Sequence, residues 1–98
     1  MAIRNSAESG VATIKAPRTS GRIQVTIEPD SASGTGTLTV KAWGADGYEA
    51  AYEDGSALTD IDMSARKTYI LDGAFRSVKV ASDNSGDTFD LVCVSIEA

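Results

Sequence analysis

Histidine is missing from this chain of 98 residues, cysteine occurs once, proline twice, and aromatic side chains number six. Without histidine the chain lacks the commonest general base, the usual proton acceptor for a serine or cysteine nucleophile, and the commonest transition-metal ligand. Cys93 cannot form an internal disulfide and has no second thiolate with which to share a metal, so within the apolar run Leu91 to Val94 it reads as a small core side chain. That run is the longest uninterrupted apolar stretch, far short of the roughly 20 residues that cross a bilayer, and the first residues lack the apolar stretch of a signal peptide. A membrane is therefore not an expected partner, and a reducing cytoplasm is an acceptable place to fold. With no disulfide, stability has to come from packing or from oligomerisation, and a chain of this length buries one hydrophobic core but not two.

Charge is present but unevenly placed. Residues 1 to 22 hold Arg4, Lys15, Arg18 and Arg22 against Glu8, a net +3, whereas residues 23 to 98 hold five basic and thirteen acidic residues, a net −8. An acidic body repels phosphates, so nucleic acid is not an expected partner either. A basic leader ahead of an acidic body fits a segment that lies against an acidic surface, on another copy or another protein; a solvated tail is the alternative. Up to about Gly21 the leader has only Ile3, Val11 and Ile14 to bury, too few to offset the entropy of ordering twenty residues without a partner surface. The expected organisation is a flexible N-terminal arm over residues 1–21 and a single domain over 22–98.

From Arg22 the texture changes. Ile23, Val25 and Ile27 alternate with Gln24, Thr26 and Glu28, the period-2 pattern of a strand with one wet face, and Pro29 and Asp30 are expected to stop it. After the polar loop 31–36, Leu38, Val40 and Ala42 alternate with Thr39, Lys41 and Trp43, so the two segments read as a hairpin. Tyr48 to Tyr52 is a short strand or a single helical turn, and residues 56–66 are irregular, anchored by Leu58, Ile61 and Met63. Strands are expected over Lys67–Asp72, Phe75–Ala81 and Asp87–Ile96, the last apolar enough to be central in a sheet. Six to eight short strands at intervals of about ten residues, with Gly, Asp or Asn in nearly every gap, mark an all-β antiparallel sandwich or small barrel, and a sandwich of jelly-roll or immunoglobulin-like type is the expected fold.

Three constellations bear on chemistry. Asp83-Asn84-Ser85-Gly86-Asp87 offers the oxygen ligands calcium prefers, with Asp83 and Asp87 as the candidates, but its glycine and the missing later glutamate depart from a calcium loop, and a strand-connecting turn needs the same residues. The turn is the favoured reading, and no metal or cofactor is expected. Glu49, Glu53, Asp54, Asp60 and Asp62 have no motif spacing and read as a wet rim, so no carboxylate pair stands out for hydrolysis and the chain is not expected to be an enzyme. Trp43, Tyr48 and Tyr52 cluster around the Asp46-Gly47 turn; they are candidates for stacking on sugars or anchoring a protein interface, with core or inter-subunit packing favoured for Trp43.

The run from Gly34 to Gly47 (GTGTLTVKAWGADG), with the run from Tyr69 to Val92 (YILDGAFRSVKVASDNSGDTFDLV), resembles small virion proteins of tailed bacteriophages across about residues 21 to 96. The resemblance implies a β-sandwich acting as a capsid decoration, head-fibre or tail-associated subunit, commonly a homotrimer. It implies residence in the virion after synthesis in the host cytoplasm, with the major capsid protein or another virion protein as partner. Ile3, Val11 and Ile14 would be the apolar contacts of the arm, and Arg4, Lys15, Arg18 and Arg22 its electrostatic ones. The alternative is a carbohydrate- or receptor-binding module using Trp43, Tyr48 and Tyr52.

Overall fold

A computed structural model describes residues 2–15, 22–73 and 75–96, with only the backbone of Ala2 and Ile96. The described residues form β1 (Ala2–Ser6), β2 (Val11–Lys15), β3 (Arg22–Ser31), β4 (Thr35–Ala42), β5 (Glu49–Ala50), β6 (Tyr52–Glu53), β7 (Ser56–Ala57), β8 (Ile61–Asp62), β9 (Lys67–Asp72), β10 (Phe75–Ser82) and β11 (Thr88–Ile96). Every described pairing is antiparallel. Strands β1-β11-β3-β9 make one sheet and β2-β10-β4-β5 the other, with β8 also on β4 and a separate β6-β7 ribbon. From β1 to β4 and again from β9 to β11, each successive long strand changes sheet. This alternation is the winding of a jelly roll, so of the two sandwich types expected the jelly roll is the one that forms.

The winding follows from which residues face inward. Alternate positions of β3 (Ile23, Val25, Ile27), β11 (Phe89, Leu91, Cys93) and β9 (Tyr69, Leu71) meet those of β4 (Leu38, Val40), β10 (Val78, Val80) and β2 (Ala12, Ile14), all buried. Leu58, Ile61 and Met63, the anchors expected of the irregular segment, close one side of this interior. Burial in surroundings without a compensating charge pushes the Cys93 thiol up to about 12, so the group is an inert core side chain.

Three expectations are corrected. First, β3 and β4 are not a hairpin: they lie in opposite sheets, because each buries one alternating face and two such faces are satisfied by facing one another across a common core. Second, Pro29 and Asp30 do not end β3, which runs to Ser31. The register shifts between Thr88 and Phe89, pairing Thr88 with Ser31 and Phe89 with Pro29, and a bulge of this kind accommodates a proline that has no N–H to give.

Third, residues 2–15 are not a loose arm. β1 pairs with β11 along five residues and β2 with β10 along five, and Ala12 and Ile14 are 1 % and 2 % exposed. The missing partner surface is the sandwich's own interior. A two-residue turn joins the strands: Ser9 (φ 53°) and Gly10 (φ 77°) both adopt left-handed backbone, and Glu8 and Val11 exchange hydrogen bonds of 2.9 and 3.0 Å. A Cβ on Gly10 would lie 2.7 Å from the carbonyl oxygen of Asn84, so glycine is required there twice over. The rest of the expected arm, with Arg18, lies outside the described residues.

Candidate binding surface

Of the expected arm contacts, Ile14 points into the core, Ile3 is half-buried against it, and Val11, 39 % exposed, lies on the outer side of β2 at the opposite end from exposed Lys15. Arg4 stands on the outer face of the first sheet. Its guanidinium donates to Glu28 Oε1 at 2.5 Å and to Asp90 Oδ2 at 2.8 Å, while Ser6 Oγ donates to Asp90 Oδ1 at 2.8 Å. The hydrogen bond from Arg4 holds the Glu28 carboxyl below its ordinary range, and those from Ser6 and Arg4 do the same for Asp90. Arg22 pairs with Asp72 at 2.9 Å. Arg4 and Arg22 therefore tie strands together, and among the described residues Val11 and Lys15 are the proposed contacts presented outward without such a bond.

The aromatic candidates separate. Trp43 is 68 % and Tyr52 60 % exposed, which removes the core as a place for Trp43. Tyr48 is committed: its hydroxyl shares a 2.7 Å hydrogen bond with Ser77 Oγ, and Lys79 Nζ sits 4.6 Å from the ring centroid. The segment from Tyr48 to Tyr52 resolves as strand, with Glu49–Ala50 on β4 and Tyr52 in the ribbon.

The 83–87 loop is occupied with holding itself in place. Asp83 Oδ2 accepts from Thr35 Oγ1 at 2.5 Å, Asp87 Oδ2 accepts from Ser82 Oγ at 2.5 Å, and Asn84 Oδ1 caps the N–H of Gly86 at 3.0 Å. Among the described residues no three acidic or thiol side chains converge as metal ligands. Beside this loop is an open groove of about 540 Å³ whose lining includes Ser31, Ser64, Arg66 and Asn84, too polar for an apolar small-molecule pocket.

One surface escaped the sequence reading. On the outer face of the second sheet Ser77 lies between Lys15 and Lys41, and Lys79 between Thr13 and Thr39, by register. Strands β2, β10 and β4 carry Lys15, Lys41, Arg76 and Lys79 and not one acidic residue. The signal was available in the outward positions of the alternating segments, all basic or hydroxyl-bearing apart from Val11 and Ala81, but only strand adjacency makes them one face.

A sandwich whose polar loops stabilise themselves, and which leaves large rings in solvent, has the features of a structural or binding β module. No family model and no curated protein matches the chain. Among solved structures it is similar to the SPBc2 prophage-derived protein YomS, with TM-score 0.59 and 11% identity over 96% of this chain and 94% of that one. It is also similar to a Bacillus endospore appendage protein from a family of disulfide-linked pili, with TM-score 0.53 and 16% identity over 95% and 80% of the two chains. A carbohydrate binding module of family 29 matches with TM-score 0.52 and 15% identity over 94% of this chain and 66% of that one. At these identities the likeness is one of fold.

Proposed function

We propose that the chain is a structural virion subunit of a tailed bacteriophage, a capsid decoration protein that binds the outer shell, stabilises it and has no enzymatic activity. The observation that carries this reading is the exposure of Trp43 and Tyr52: rings of this size, left in solvent by a domain with few aromatics, are the anchors expected of a macromolecular interface. The sequence resemblance over residues 21 to 96 supports it, as does a fold shared with a prophage-derived protein over nearly the whole of both chains. The partner is the major capsid protein or another virion protein, met after synthesis in the host cytoplasm. Residues 1 to 22 take part through the outer side of β2, with Val11 and Lys15 as contacts, since Ile14 is committed to the core. Co-sedimentation with purified shells is the test. Trp43→Ala with Tyr52→Ala should weaken shell binding by at least about tenfold without altering the far-ultraviolet spectrum; failure of the unaltered protein to sediment with shells overturns the reading.

The second reading, a carbohydrate- or receptor-binding module, is favoured by the same exposed Trp43 ring. Titrating polysaccharides while following Trp43 fluorescence separates the two, because the sole tryptophan reports directly on stacking; a silent signal removes the glycan.

A further inference from the structure

Charge in this molecule is sorted by strand. The outer face built by β2, β10 and β4 carries Lys15, Lys41, Arg76 and Lys79 with no acid, whereas residues 42–65 hold Asp46, Glu49, Glu53, Asp54, Asp60 and Asp62 with no Lys or Arg. None of the four bases, and none of these six acids, enters an ion pair among the described residues; those formed involve Arg4, Arg22 and Arg66. The two sets touch at Tyr48, which meets Ser77 and Lys79, yet no carboxylate of the segment pairs with a base of the face. In the sheet order β2-β10-β4-β5 the acidic segment begins beyond β4, at the opposite end from β2. Three interstrand steps put Lys15 on β2 roughly 14 Å from β5, whereas Lys41 lies on the neighbouring β4 and Lys79 is already taken up by the Tyr48 ring.

The acidic segment also carries both strongly exposed rings, Trp43 and Tyr52. The basic face already shows how a lysine meets a ring here, with Lys79 over Tyr48. From these placements we infer that the face of one copy that carries Lys15, Lys41 and Arg76 docks the acidic 42–65 margin of a second copy. Carboxylates complement basic groups across the contact. Because the two surfaces differ, the contact is head-to-tail, and it closes into a ring or extends according to its rotation. The inference deepens the reading of the chain as a structural subunit by naming a partner, another copy, and the two surfaces that meet.

The test uses two charge-reversed forms of the full chain. One carries Lys15→Glu, Lys41→Glu and Arg76→Glu, which spares Lys79 because it holds Tyr48; the other carries Asp46→Lys, Glu49→Lys and Asp60→Lys, which spares Glu53 and Asp62 because they accept structural hydrogen bonds. Circular dichroism checks that both fold. In sedimentation equilibrium the unaltered chain should self-associate at about 0.05 M salt and weaken at least about tenfold at 1 M, as screening demands. Each reversed form alone should be monomeric, and mixing the two should restore association in equal proportion. An unaltered chain that stays monomeric at low salt, reversed forms that associate as before, or a mixture that remains monomeric overturns the inference. Shell co-sedimentation keeps this apart from the functional reading: attachment without self-association sinks only the head-to-tail contact, and self-association without attachment sinks only the decoration role.

Discussion

The two flanks of the sandwich are closed by different means. At one flank β1 and β2 are five-residue strands in continuous register, joined by a tight turn, and the Asn5 side chain donates to the Thr13 carbonyl at 2.8 Å where the strands part into separate sheets. At the other flank the strands β5 to β8 are two residues long. The closure there depends on side chains: Leu58, Ile61 and Met63 reach into the core, and Glu53 Oε2 accepts the Ile70 N–H at 2.8 Å, covering an edge group of β9. A flank held by backbone ladders leaves its outward side chains free to be nearly uniform, here basic and hydroxyl-bearing apart from Val11. A flank held by a few anchors has loops in between, and those loops display acids and large rings. An edge strand with unpaired backbone groups invites unwanted pairing, and both arrangements suppress it.

The contrast can be broken most decisively at the first flank. Ile14→Ala should destabilise by about 2–4 kcal/mol because it opens a cavity in the core, whereas Val11→Ala, partly exposed three residues away, should change stability by less than about 0.5 kcal/mol. Urea unfolding of both would check this; equal, small effects would return residues 2–15 to the status of a detached arm. At the second flank Glu53→Ala should cost about 1 kcal/mol by leaving the Ile70 N–H without its acceptor, with faster amide exchange at Ile70 as the specific readout. An unchanged exchange rate would show that the margin does not cover the β9 edge.

The smallest effect concerns pH. Glu28 and Asp90 have carboxyls held below their ordinary range by Arg4 and Ser6, so the stability they add is present above that range and is lost as pH falls through the lowered values. Arg4→Met should remove part of that stability near neutrality and flatten the acid limb of stability against pH below about pH 4. These groups are solvated, so the change is modest and salt-sensitive; a limb unaltered by the substitution would assign acid sensitivity to other carboxylates.

Much of the fold was legible as pattern. The alternation in 22–28, 37–43 and 75–81 gave the buried positions Ile23, Val25, Leu38, Val40, Val78 and Val80, and the apolar block at 89–94 gave a central strand. The arm was misread because Ile3, Val11 and Ile14 look too sparse to order a segment alone, and a sequence does not show that a ready-made apolar surface awaits it between β10 and β11. The site was harder. Trp43 continues the outward alternation of β4 and still admitted two environments, because period 2 says which face a ring takes but not whether another layer covers that face.

Residue type and spacing alone fixed that the chain would pair as antiparallel strands, that Cys93 would be internal, and that histidine chemistry was excluded, since each depends on local periodicity or on composition. Strand order was decided only in three dimensions. Hydrogen bonding between β2, β10 and β4 brings together bases up to sixty-four positions apart in the chain, Lys15 and Lys79, and lays Tyr48 over the last of them. Backbone pairing is indifferent to most side chains, so such neighbours become visible only once the sheets have formed.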